Sequence, residues 1–150
     1  MFLRVDDRLI HGQVVTAWMR ELNVKVIMVI DDLAASNPVI RQALKMATPG
    51  SIKLVVKKVA DGIHSVKDYN ENDLLIICKT PITAKKVIDG NMNFHWNLNI
   101  GNIGMAPGRK TFAQTVHLDK NNYEACKTLD EYSNVHCFMQ TVPGQAIKTL

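Results

Sequence analysis

Eight consecutive residues, Asp6-Asp7-Arg8-Leu9-Ile10-His11-Gly12-Gln13, bring together two carboxylates, a guanidinium, an imidazole and a glycine. A neutral imidazole keeps one ring nitrogen free for attack. Which nitrogen that is depends on what the other one donates to, and Asp6 or Asp7 stands near enough in sequence to accept that N–H. Arg8 adds a planar fork that matches phosphate oxygens. Together these groups suit the uptake and release of a phosphoryl group, a transfer that needs alignment and charge stabilisation above all. A plainer account competes. His11 lies four residues before Val15 and seven before Trp18, so it can also head an apolar helical stripe, and the carboxylates can be helix-entry caps.

The flanking pattern decides where this segment sits. Phe2 to Val5 reads as a short strand. Gln13 to Leu22 reads as a helix, because Val15, Trp18, Met19 and Leu22 recur at helical spacing. The loop therefore joins a strand to a helix whose first backbone N–H groups, at Gly12 and Gln13, have no partner within the helix and favour an anion. Val24 to Ile30 is a near-continuous β-branched run, as in a strand covered on both faces. Ser36 and Pro38 read as the N-cap and first-turn proline of a helix through Met46. Ile52 to Val56 is a third strand, Val59 to Lys67 a weaker helix, and Leu74 to Cys78 a fourth strand. Thr83 to Asp89 is a short helix ended by Gly90. Leu98 to Ile100 is a fifth strand, Phe112 to Leu118 a sixth, Asn121 to Tyr132 a helix, and Val135 to Val142 the last strand. The tail beyond Pro143-Gly144 is read as the start of another helix. This alternation predicts an α/β fold: an open, mostly parallel, twisted sheet of about seven strands with helices on both faces. Ligands of such sheets sit outside the carboxyl ends of the strands, where the His11 loop also falls.

The chain has 150 residues, 47% hydrophobic and 21% charged, which suits one domain over residues 1–150. Its formal charge is +4. The basic residues are scattered, so the excess favours anion handling over nucleic-acid binding. The N-terminus carries four charges in eight residues, unlike a signal peptide, and no apolar run is long enough to span a bilayer. A cytoplasmic protein is expected. Cys78, Cys126 and Cys137 lack CxxC spacing and read as small buried hydrophobes. His64, His95, His117 and His136 lack ligand spacing and read as structural, so no metal site is expected. Gly101 to Gly104 lacks nucleotide-loop spacing and reads as a tight turn beside the site.

The stretch Arg4-Val5-Asp6-Asp7-Arg8-Leu9-Ile10-His11-Gly12-Gln13-Val14 resembles the signature of the enzyme IIB components of the mannose/fructose/sorbose-type phosphotransferase system. Further segments continue the likeness: Asp31-Asp32 after the second strand, Arg41 on the next helix, and Cys78-Lys79-Thr80-Pro81 after the fourth strand. So do Asn99-Ile100-Gly101-Asn102 and Gln140-Thr141-Val142-Pro143. The likeness covers nearly the whole chain. It implies a phosphoryl carrier without a cofactor. A phosphorylated IIA partner donates to Nδ1 of His11, and the group passes to a sugar carried by membrane IIC and IID components. The carrier would be peripherally associated with that permease. Arg8 and Arg41 match the family's phosphate-steadying arginines, and Asp6 is expected to be catalytic together with His11 and Arg8. Gly12, Gln13, Lys79 and Thr80 complete the expected phosphate site, although Lys79 and Thr80 can equally just end their strand. The Asn99–Asn102 and Gln140–Pro143 segments lean toward the N-acetylgalactosamine/sorbose side of the family. Met105 to Arg109 departs from the family pattern.

Two other classes are weaker. A receiver-like switch phosphorylated on aspartate needs an acceptor after the third strand, and Val55 to Ala60 offers none. A nucleic-acid-binding domain predicts steeply salt-dependent binding, and no motif supports it.

Overall fold

The computed structural model describes all 150 residues. Strand β1 spans Phe2–Asp6, β2 Val26–Ile30, β3 Lys53–Lys57, β4 Leu74–Cys78, β5 Trp96–Asn102, β6 Lys110–Ala113, β7 Val116–Leu118 and β8 Val135–Met139. Helix α1 spans Gly12–Leu22, α2 Asp32–Ser36, α3 Pro38–Ala47, α4 Val59–Ser65, α5 Pro81–Asp89 and α6 Lys120–Asp130. Six strands form one parallel sheet in the order β3-β2-β4-β1-β5-β8, and β6 and β7 form a separate antiparallel pair.

The apolar runs are continuous because each inner strand is covered twice. Leu3, Val5, Met28, Ile30, Leu74, Ile76, Leu98 and Ile100 pack toward α5 and α6, against Ala84, Val87, Ile88, Cys126 and Leu129. Their neighbours Ile27, Val29, Leu75 and Ile77 face the other way, onto Val14, Val15 and Trp18 of α1 and Leu44 of α3. Period-2 alternation thus feeds two cores, one per face. All three cysteines are buried and unpaired, and desolvation raises each thiol, that of Cys78 and that of Cys137 to about 12.

The connection after β1 runs through α1 to β2, and that after β4 runs through α5 to β5. β1 and β4 are adjacent, and their helices leave to opposite faces. The connections leaving the carboxyl ends of these two paired strands therefore part to either side, at the switch point where open sheets bind ligands.

Four expectations change. Gly101 to Gly104 is not a tight turn: β5 runs on through Gly101 and Asn102, and Ile103 bridges to Val116. Phe112 to Leu118 is not a sixth strand of the main sheet. A two-residue turn at Gln114-Thr115 folds it into the β6–β7 hairpin, which meets the sheet edge through an Ile103–Val116 bridge. Ser36 does not cap the second long helix: it closes α2, and Asn37 caps α3 by accepting from the N–H groups of Val39 (3.0 Å) and Ile40 (3.2 Å). The tail does not start a helix. It turns back so that Lys148 pairs antiparallel with Met139 and covers the end of edge strand β8. Asn37→Ala should cost about 1 kcal/mol of unfolding free energy in denaturant titration. Ser36→Ala should change it by less than about 0.5 kcal/mol.

Candidate active site

The loop between β1 and α1 is built on its two carboxylates. Asp6 ends β1 almost fully buried, at 1% exposure. Its Oδ1 accepts from the backbone N–H (3.0 Å) and Nε (3.0 Å) of Arg8, and its Oδ2 accepts from Nη2 of Arg8 (2.9 Å) and Nη2 of Arg4 (3.0 Å). Asp7 points elsewhere: its carboxylate accepts from Asn102 Nδ2 (3.0 Å) and from the backbone N–H of Gly104 (2.8 Å), tying this loop to the one after β5. Neither carboxylate touches His11. The expectation that Asp6 or Asp7 fixes the imidazole tautomer is therefore corrected: both are spent on struts. Asp6 is bonded to Arg4 and Arg8 and has no hydrogen bond to the imidazole.

The turn closes with a bond from Leu9 N–H to Asp6 O (2.9 Å). Leu9 adopts φ 60°, a left-handed conformation that a branched side chain avoids at a cost of about 1–3 kcal/mol. Its side chain is 2% exposed within the α1-side core, which holds the strained turn in place. The strain lies two residues before His11 and reverses the chain so that His11 meets α1.

His11 occupies the N-cap position of α1, with extended backbone (φ −109°, ψ 117°) and its carbonyl accepting from Val15 N–H at 2.9 Å. Its side chain is exposed and forms no hydrogen bond, so both ring nitrogens are open. No side chain caps this helix end and no acid lies in its first turn. The N–H groups of Gly12 and Gln13 and the helix dipole thus stay uncompensated at the corner where the imidazole stands. Arg8, three residues earlier on the same loop, has a side chain 36% exposed. The fork to Asp6 occupies Nε and Nη2 and leaves Nη1 free toward solvent. Those bonds raise Arg8 above its ordinary value, so it stays a cation at every working pH.

The other expected residues fall in two places. Lys79 and Thr80 lie at the carboxyl end of β4. With Asp7, Arg109 and His117 they line a small cavity of about 160 Å³. Lys79 Nζ stands 3.9 Å from Asp31 Oδ2, a loose ion pair that leaves its charge accessible. The Thr80 hydroxyl caps α5 by accepting from Thr83 N–H (3.2 Å), so ending the strand and starting the helix accounts for it. Arg109 donates to Gly104 O (2.7 Å) and braces its own loop. Arg41 is exposed on α3, lines a groove with Lys45 and Lys53, and makes no hydrogen bond or ion pair with the loop.

Sequence reasoning missed three groups under the loop. Arg4 is wholly buried in the middle of β1, pairs with Asp6, and donates to Asn99 Oδ1 (2.6 Å) and Gln140 O (3.3 Å). The signal was available. Arg4 and Asp6 are two apart on a strand, hence on one face, and a buried charge needs an opposite one.

The whole chain, residues 1–150, matches the family model described as the sorbose-subfamily IIB component of the PTS system. This protein belongs to that family. It is 32% identical over 145 residues to the N-acetylgalactosamine-specific phosphotransferase enzyme IIB component 2 of Escherichia coli K12, covering 95% of this chain and 90% of the relative. It is 30% identical over 129 residues to the mannose-specific EIIAB component of the same strain, covering 85% of this chain and 40% of that longer protein. Among solved structures, the E. coli N-acetylgalactosamine-specific IIB component 1 superimposes with a TM-score of 0.91 over 99% of this chain and 97% of the other, at 22% identity, a likeness of fold. As a member of this IIB family the chain is a phosphotransferase of sugar transport. No helix is long and apolar enough to cross a membrane.

Proposed function

We propose that His11 is the phosphoryl acceptor and donor of this IIB component. One observation carries the reading: an exposed, unbonded imidazole at the uncapped N-terminus of α1, three residues after an arginine held by a buried carboxylate. With the proton on Nε2, the Nδ1 lone pair attacks phosphorus on a phosphohistidine of a IIA partner. The new N–P bond forms as the partner's N–P bond breaks, and the partner's imidazole leaves with the electron pair. In the second step a sugar hydroxyl oxygen attacks, the N–P bond at His11 breaks, and the ring recovers its lone pair. The hydroxyl proton goes to solvent or to a base on the permease. The Nε2 proton stays in place throughout, so no carboxylate partner is needed.

In both steps the three equatorial oxygens carry the charge. The free Nη1 donors of Arg8 and the N–H groups of Gly12 and Gln13 are the nearest groups to receive them. Lys79 closes the site from β4. Arg41, with Lys45 and Lys53, supports association by giving the neighbouring face a positive field rather than by touching phosphate.

A IIA donor fits the relative named as an EIIAB component, whose name places the A and B parts in one protein. Membrane IIC and IID components supply the sugar, and the carrier works at the cytoplasmic face. The sugar is assigned to the N-acetylgalactosamine/sorbose group, supported by the names of the similar proteins.

The test is reconstituted phosphorylation from phosphoenolpyruvate through phospho-IIA, followed by addition of permease membranes with candidate sugars. The bound phosphate should be acid-labile and base-stable, and should be discharged by one sugar of that group. A base-labile phosphate would point to an aspartyl ester and refute the assignment. Arg8→Ala should slow uptake about 100-fold, the cost of one charged donor at a transition state. Its unfolding free energy should change far less, because Asp6 keeps two of its four bonds, one from Arg4 and one from the backbone N–H of residue 8. A variant with full transfer rates would remove Arg8 from the mechanism.

A further inference from the structure

Arg4 is an expensive residue for its position. It lies between Leu3 and Val5 in a central strand, at 0% exposure. Burying a guanidinium costs several kcal/mol, and an apolar side chain there would often be neutral or better. The desolvation is incomplete in its compensation as well: Arg4 Nε has no hydrogen-bond partner, a rarity for a buried donor. Yet the surroundings are shaped to hold it. Asn99, its register neighbour on β5, accepts at 2.6 Å, and the Gln140 carbonyl accepts at 3.3 Å. The Trp18 ring lies 5.8 Å from its guanidinium carbon. Position 101 is glycine because the guanidinium fills the space that a Cβ would take. Gly101 is also the extra residue of the bulge where β1 and β5 shift register between Val5 and Asp6.

The charge count supplies a reason. Asp6 is the only carboxylate paired with Arg4 or Arg8; Asp7 also acts on Arg8, at longer range, with its oxygens held by Asn102 and Gly104. An Arg8–Asp6 pair alone is neutral and has only a weak dipolar pull on a doubly charged phosphoryl group. With Arg4 behind Asp6, the trio carries +1, and its exposed member is Arg8. We infer that Arg4 is a positioning residue for phosphoryl transfer: it offsets the charge of Asp6 from below, so that Arg8 meets the phosphoryl group as an uncancelled cation. This rests on the assignment of His11 and Arg8 given above.

Three variants test it: Arg4→Met, Arg4→Met with Asp6→Asn, and Arg4→Lys. Each is first checked by circular dichroism and amide NMR for the wild-type fold. Two quantities are read: the rate of uptake from phospho-IIA as a function of salt, and the His11 imidazole pKa by NMR in the unphosphorylated protein. Arg4→Met should slow uptake at least tenfold, flatten its salt dependence, and shift the His11 titration upward, because a positive charge is gone. The double variant restores the net +1. It should return the His11 titration to that of the wild type and recover part of the rate, because an amide offers Arg8 one acceptor oxygen in place of two. A merely structural role predicts the reverse, with the double variant no better than the single. Wild-type rate and titration in Arg4→Met, or absence of rescue, overturns the inference. Should Arg4→Met not fold, Arg4→Lys decides: it keeps the charge, so uptake within about threefold supports the inference and a hundredfold loss refutes it. The two failures are separable. If wild-type phosphate is not on His11, the assignment of function falls, whereas the titration of unphosphorylated protein still judges Arg4.

Discussion

His11→Ala is expected to take up no phosphoryl group from phospho-IIA and to fold as the wild type does. The two halves of that expectation have separate grounds. Chemically, no neighbouring side chain can substitute. Asp6 is enclosed by two arginines, Asp7 is engaged by Asn102 and Gly104, and the free thiols are buried with raised pKa values. Structurally, the imidazole makes no hydrogen bond and does not cap the helix whose N-cap it occupies. Truncation then removes no buried contact, and the unfolding free energy should move by less than about 0.5 kcal/mol. Stoichiometric labelling of this variant would refute the assignment. A large loss of stability would show that the ring is part of the packing after all.

Trp18→Ala should have the largest effect on the fold. The indole is 3% exposed, packs tilted against Phe2 at a centroid distance of 5.2 Å, and donates from Nε1 to Thr141 O at 3.0 Å. It also floors the Arg4 guanidinium. Truncation leaves a cavity and an orphaned carbonyl, at a cost of about 3–5 kcal/mol, which for a chain of this length lowers Tm by on the order of 10 °C. Thermal and urea unfolding measure it. A negligible change would mean that the α1 face is wrongly assigned. Trp18 and His11 lie on one helix, seven residues apart. One variant should therefore cost stability and the other activity, and comparing the two separates folding from chemistry.

The elements with unambiguous patterns were legible in the sequence. The runs at Val26–Ile30 and Leu74–Cys78 are β-branched and leucine-rich because the sheet is covered on both sides, and period and length alone identify them. The stripe Val15, Trp18, Met19 and Leu22 identified α1 and its buried face. The loop carrying His11 was legible from its residue types and its place between strand and helix. What failed depended on contacts distant in sequence or on single-residue choices. Ser36 and Asn37 are both good caps, and only the break after α2 selects Asn37. Phe112 to Leu118 has strand composition throughout, and nothing local reveals that Gln114-Thr115 turns it back on itself. The tail pairs with Met139 through backbone groups alone, which leave no side-chain signature. The hydrogen-bond partners of Asp6 and Asp7 were not legible for a similar reason. A carboxylate next to a histidine in sequence invites a tautomer-fixing bond, but the bulge at Val5/Asp6 and the left-handed Leu9 send these carboxylates to Arg4 and Arg8 and to Asn102 and Gly104.

The phosphorylated protein, labelled with ¹⁵N in its histidine rings, offers the most direct reading of the central claim. One-bond coupling between ³¹P and a ring nitrogen assigns the bond without a mutation. The account predicts a single coupled resonance, at Nδ1 of His11, with the rings of His64, His95, His117 and His136 unchanged. Phosphorus coupled to any of those four rings, or coupled to no nitrogen at all, would contradict it.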